Sequence, residues 1–229
     1  MRALRILLII AVVLGGLFAI GDRLAVSAAE SEAAERIQAN QGLSGSPDVS
    51  IKGFPFLTQV LDKELDQVDV AMTGVEATAG GRKVRVGELS AELRDVRLEN
   101  NYSRAVAATA TGTARIAYEE LQKASENDVT LAYGGEGKIK VTGSVEVLGR
   151  KITRSVLSTV SVVDGDTLRV RADEVPGNGI PGIEELVRKR TDFDRQVSGF
   201  PAGLKLQKVE ATPDGLAVTV GGQNIVLTG

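Results

Sequence analysis

The sequence predicts an α+β fold: a long, strongly curved antiparallel sheet wrapped around one or two helices, preceded by an N-terminal transmembrane or signal helix. Three observations predict it. From Glu64 onward, apolar and polar residues alternate with period two in run after run, joined by short turns. Only a few stretches outside the N-terminus carry helical spacing. One uninterrupted apolar run, Ile6 to Ile20, stands apart from everything else. Sequential hairpins make the sheet antiparallel, and alternation gives it one wet and one dry face. A dry face that large, with few helices to cover it, must curl around them. Its burial, at ~25 cal/mol per Å², holds such a fold together. Where the helices leave it uncovered, an apolar channel results.

The 229 residues suffice for one large domain with a good core. Hydrophobic residues make up 43%, which excludes a disordered chain. They are mostly Val, Leu, Ile and Ala, so the core is aliphatic. The net charge is −3 with both signs interspersed, and aromatics are five Phe and three Tyr. That pattern argues against nucleic-acid binding, which calls for a basic stripe and stacking rings. Absent Trp weakens a carbohydrate-stacking reading. With neither Cys nor His, thiolate and imidazole chemistry is excluded, and so are Cys or His zinc sites. Carboxylates, Lys, Tyr or a Ser-Lys pair remain for an enzyme. No cofactor is implied.

Arg2 and Arg5 flank the apolar run, and Gly21-Asp22-Arg23 closes it. As a helix, Ile6–Ile20 is roughly 23 Å long, short of the ~30 Å bilayer core. Ala3 to Arg5, with Arg5 snorkelling, brings it close to a span. Residues 1–21 therefore form a signal anchor or a signal peptide. Val26-Ser27-Ala28 has small residues at the −3 and −1 positions of a cleavage site, so both readings stand. Either puts residues 22–229 outside the cytoplasm, because Arg2 and Arg5 stay inside. The result is a single-pass protein of the plasma membrane or a secreted, periplasmic-like one.

Residues 22–42 are an Ala/Glu-rich helix with Val26, Ala29, Ala33 and Ile37 on one stripe. Residues 43–229 form the α+β body. A loop, 43–47, precedes a short strand, 48–54, which ends in Gly53-Phe54-Pro55. Phe56, Leu57, Val60 and Leu61 then repeat at helical spacing. A strand runs from Glu64, Gly80-Gly81 turns the chain, and the next strand shifts phase near Asp95, as a bulge does. Residues 118–125 form a short helix. Lys138–Leu148 is the clearest strand, with Ile139, Val141, Val145 and Val147 on one face. Gly134-Gly135 and Asp164-Gly165-Asp166 are read as turns. After a loop, 176–182, a helix is expected over Ile183–Val197, with Ile183, Leu186, Val187 and Phe193 along one side. Gly199-Phe200-Pro201 repeats the earlier tripeptide. Leu204–Val209 and Leu216–Val220 form a hairpin. The expected count is nine to eleven strands and three helices.

The Arg-flanked apolar run, the Ala/Glu-rich helix, the stretch Gly53-Phe54-Pro55-Phe56-Leu57-Thr58-Gln59-Val60-Leu61 and the following Val68-Asp69-Val70 strand resemble the LmeA family of actinobacterial phospholipid-binding envelope proteins. Gly199-Phe200-Pro201-Ala202-Gly203-Leu204 fits as well. The resemblance covers essentially the whole chain. It implies an exported protein that binds phospholipid, phosphatidylinositol types included. It also implies a role in cell-envelope lipid or lipoglycan biogenesis and a fold similar to the tubular lipid-binding class. No catalytic motif carries over.

The candidate apolar lining is Phe54, Phe56, Leu57, Val60, Leu61, Ile183, Leu186, Val187, Phe193 and Phe200. Ordinary core packing is the competing reading for each. Arg188, Lys189 and Arg190, with Lys205 and Lys208, form the densest basic patch, suited to a lipid phosphate or an anionic membrane surface. A solvated helix face is its plain alternative. The acid pairs, Asp62 with Glu64, Glu119 with Glu120, Asp164 with Asp166, Asp173 with Glu174 and Glu184 with Glu185, are the only acid/base candidates, and their spacing builds no cleft. Three functions follow in order: a non-enzymatic phospholipid-binding module, a scaffold docking an envelope glycosyltransferase, and a carboxylate hydrolase.

Overall fold

The structure, a computed structural model, describes residues 2–41, 46–79, 82–124, 129–147, 150–173, 175, 183–197 and 200–228. The fold is α+β, as the alternation predicts. Eleven strands and four helices are described. The strands divide between two antiparallel sheets. One has six strands in the order β1 (Asp48–Lys52), β2 (Glu64–Ala79), β3 (Arg82–Glu99), β4 (Arg104–Ile116), β11 (Gly215–Thr228), β10 (Leu204–Thr212). The other has five in sequence order: β5 (Val129–Gly135), β6 (Lys138–Val147), β7 (Arg150–Val163), β8 (Thr167–Ala172), β9 (Phe193–Gln196).

The chain forms two compact units, and four long strands contribute residues to both. The first unit holds Met1–Ala71, Ala91–Ala110 and Gln223–Gly229. Its helix α1 is continuous from Arg2 to Gln41, 40 residues, or about 60 Å of rod. The apolar run and the Ala/Glu-rich stretch after it join in one helix through Gly21-Asp22-Arg23. One interior glycine costs only about 1 kcal/mol of helix propensity, and the contacts of Asp22 described below hold that turn. From Leu4 to Ile20 the large apolar side chains of α1 are exposed. Beyond Asp22, the stripe of Val26, Ala29, Ala33, Ala34 and Ile37 turns inward. Val26 and Ala29 of that stripe meet a core of Phe56, Leu65, Val96 and Ala107, with Ile51, Leu57, Val60 and Val68 packed around it.

The second unit holds Met72–Ser90 and Thr111–Gly222. Its core is the alternation made physical: Ile139, Val141, Val156, Val160 and Val170 from the five-stranded sheet, and Leu206, Val209, Ala211, Leu216 and Val218 from β10 and β11. Register follows the pattern, with Val141 opposite Val156, Val160 opposite Val170, and Val209 opposite Val218. Asp164 and Gly165 take φ of 55° and 75°, the two positive values a tight hairpin between β7 and β8 needs. The β5–β6 turn falls on Glu136-Gly137, two residues later than the expected Gly134-Gly135, which complete β5. Asp95, inside β3, has a positive φ of 49° at the position where the phase shift predicts a bulge.

Helix α4 spans Ile183–Thr191, not Ile183–Val197. The Asp192 N–H donates to Arg188 O at 2.7 Å, and its carboxylate accepts the Ala172 N–H at 2.9 Å. The chain then turns extended, and Phe193–Gln196 pair with β8. Sheet pairing thus outbids the helical spacing of Phe193 and Val197. Helix α3 occupies Tyr118–Ala124. The proposed turn at Gly80-Gly81, the loop 176–182 and Gly199 lie outside the described residues.

Candidate functional site

The Gly53-Phe54-Pro55 tripeptide makes a corner between β1 and α2 (Phe56–Asp62). Gly53 has φ 96°, and a Cβ there would overlap the Gln59 amide and the Asp66 carboxylate. Gln59, itself buried, ties the corner together. Its Nε2 donates to Lys52 O at 3.3 Å, and its Oε1 accepts the Asp66 N–H at 2.9 Å. Phe54-Pro55 is a cis peptide. At the far end of α2, Lys63 adopts a left-handed φ of 58° and its N–H returns to Gln59 O and Val60 O.

Helix α2 has no capping side chain of its own at Pro55. The cap comes from α1. Asp22, fully buried, accepts the Leu57 N–H through Oδ1 at 2.8 Å. A carboxylate at a helix N-terminus satisfies a free N–H and complements the helix dipole. Its Oδ2 is buried without a partner among the described atoms. Two turns on, Glu30 Oε1 accepts the Ile51 N–H of β1 at 2.8 Å. The Arg23 guanidinium lies over the Phe54 ring, 5.2 Å from its centroid. Tyr102, in the β3–β4 turn, donates its hydroxyl to Val60 O at 3.3 Å, and Leu98 N donates to Lys63 O at 2.8 Å.

The candidate apolar residues fall into two groups, one in each unit. In the first unit Phe56 is core, Leu57 and Val60 are half-buried against it, and Phe54 and Leu61 are 56% and 78% exposed. In the second, Val187 is core, and Phe193 and Phe200 pack against the same cluster half-buried. The side chains of Ile183, Leu186 and Arg190 lie outside those described.

Two of the basic candidates, Arg188 and Lys208, are engaged in ion pairs. Arg188 pairs with Glu184 at 3.0 Å and donates to Ala172 O at 3.0 Å; the Glu184 bond pushes its pKa above the usual arginine value. Lys208 pairs with Glu210 at 2.5 Å. The stem of Lys205 lies against Gly165, and Lys189 is exposed. Several of the paired acids are in structural use. Asp166 accepts from Thr167 at 2.7 Å and Gln196 at 2.8 Å. Asp173 pairs with Lys138 at 2.9 Å and accepts from Thr159 at 2.6 Å. Asp194, which carries no sequence signal, holds Arg169 and Arg171, each at 2.8 Å. Among the described residues no three Asp or Glu gather where a metal ion could sit.

Sequence reasoning missed Asp22, Glu30 and Gln59. The nearest signal was a lone Asp at the end of an apolar run, which looks like a flank. Its bond partner is 35 residues away.

No curated protein and no solved structure matches the chain. Residues 20–221 match a family described as LmeA-like phospholipid-binding. That span opens beside Asp22 and takes in the corner, both cores and α4. The chain therefore belongs to the LmeA-like phospholipid-binding family.

Proposed function

We propose that this protein binds phospholipid outside the plasma membrane, phosphatidylinositol types among them, and serves envelope lipid or lipoglycan biogenesis as a carrier rather than an enzyme. The family match over residues 20–221 carries the reading. The aliphatic interior supports it: each acyl CH₂ taken out of water is worth about 0.8 kcal/mol, so chains alone give affinity without a headgroup pocket. Each unit has its own proposed acyl contacts, Leu57 and Val60 in the first, and Phe193 and Phe200 in the second, where Lys189 and Lys205 are the cations open to a phosphate.

The same reading keeps α1 as an uncleaved anchor with residues 22–229 outside. It has the length and composition to cross a membrane. A cut after Ala28 would remove Asp22 and Val26, one capping α2 and the other core. Intact mass of the mature protein is expected to include α1; a mass beginning at Ala29 would overturn the anchor. Mass spectrometry of lipid extracted from the purified full chain tests binding. Phospholipid in the extract is expected. A lipid-free extract together with no binding to phosphatidylinositol-containing vesicles would leave a scaffold that docks a glycosyltransferase as the better account.

A further inference from the structure

The exposed residues of the corner ask for an explanation of their own. Phe54 and Leu61 belong to an element whose other face is core, yet both are open. Leu24 on α1 is 69% exposed and continues the stripe of Leu17 and Ile20 at helical spacing. The exposed apolar surface of α1 therefore runs from Leu4 to Leu24, 21 positions, about 30 Å of helix, which is one hydrocarbon thickness. Its upper end coincides with the point where α1 meets the folded body. Asp22 touches Leu57, and Arg23 touches Phe54. The corner is thus held at the height where the helix leaves the bilayer.

We propose that the Gly53–Leu61 corner rests on the outer leaflet, with the Phe54 ring at the headgroup–acyl boundary and Arg23 on a lipid phosphate. The occupant is the leaflet because its apolar surface is continuous with that of the span. An aromatic ring beside an arginine is suited to that boundary, one end apolar and the other wet. Among the described residues Arg23 has no carboxylate partner, so its charge is free for a phosphate. This rests on α1 being retained, and it deepens the lipid-binding reading: the protein would meet its ligand where the ligand resides.

The chain contains neither Trp nor Cys, so one introduced probe reports alone. Phe54→Trp in the full chain, reconstituted in phosphatidylcholine vesicles, is expected to emit blue-shifted light and to lose intensity when the lipid is brominated near the glycerol. Leu24→Trp reports the helix itself. Quenching of Leu24→Trp without quenching of Phe54→Trp would overturn the proposal, because the helix would span while the corner stood clear. Quenching of Phe54→Trp that persists after the protein is extracted from the brominated vesicles into detergent would also overturn it, since a lipid retained by the protein would then be the quencher. If the Trp variant does not fold, Phe54→Cys carrying a spin label gives the same depth by oxygen accessibility. An extract without lipid from the same protein would refute lipid binding while leaving this seat intact.

Discussion

The two units bury their apolar residues by different means. In the second, a stack of Val, Ile, Leu and Ala from β6 to β8 and from β10 and β11 forms the core. Its surface charges are matched locally: Asp194 with Arg169 and Arg171, Asp173 with Lys138, Arg188 with Glu184. In the first, the core is smaller and centred on Phe56. Single hydrogen bonds fasten it, two of them long-range, Asp22 to Leu57 and Glu30 to Ile51, and two local, Gln59 to Lys52 and to Asp66. The difference teaches that one unit is specified by periodicity and tolerates exchange of one aliphatic residue for another. The other is specified by a few polar atoms whose replacement leaves buried N–H groups without partners.

The largest test of that contrast is Phe56→Ala. Removing a buried aromatic ring costs about 3–5 kcal/mol. Hydrogen exchange on the detergent-solubilised full chain is expected to show lost protection around Val96 and Ala107, while amides near Val141 and Val156 stay protected. Uniform loss would mean the units unfold as one. Next is Asp22→Ala, expected to lower stability by about 1–2 kcal/mol, the worth of a helix cap. Asp22→Asn should restore most of it, because an amide oxygen still accepts the Leu57 N–H. Urea titrations of the two variants check this, and equal losses would make the carboxylate's charge, not its hydrogen bond, the important term.

The smallest expected effect is on the second unit in acid. The Arg169 hydrogen bond, joined by Arg171, holds the Asp194 carboxyl below the usual range, and Lys138 with Thr159 does the same for Asp173. A carboxyl whose folded pKa is lowered adds stability above its unfolded value of about 3.9 and loses it as pH falls through the folded value. Thermal melts should therefore drop below about pH 4, and the drop should be shallower in Asp194→Asn. An unchanged slope would show that this exposed pair contributes nothing measurable.

Much of the second unit was legible. Ile139 and Val141, Val156 and Val160, and the hairpin of β10 and β11 all advertise themselves by alternation, and Asp164-Gly165 by turn chemistry. The end of α4 was not. Phe193 fits a helical stripe, and only the neighbouring strand β8 decides otherwise. In the first unit the apolar run, the Val26–Ala29–Ala33 stripe and the importance of the Gly-Phe-Pro corner could all be read. Its workings could not. Asp22 looks like a polar boundary, and its purpose lies in a backbone N–H far along the chain. Phe54 and Phe56 are two residues apart in sequence, and only the fold tells that one faces out and the other in.

The grip of α1 on β1 and α2 has a mechanical meaning. A rod that lies in a bilayer leans more in a thin membrane than in a thick one. Glu30 and Asp22 fasten α1 to the backbone of a strand and of a short helix, so in the anchored form proposed above leaning would carry both along. In that anchored form local bilayer thickness would become a lever on the attitude of the sheet edge at β1.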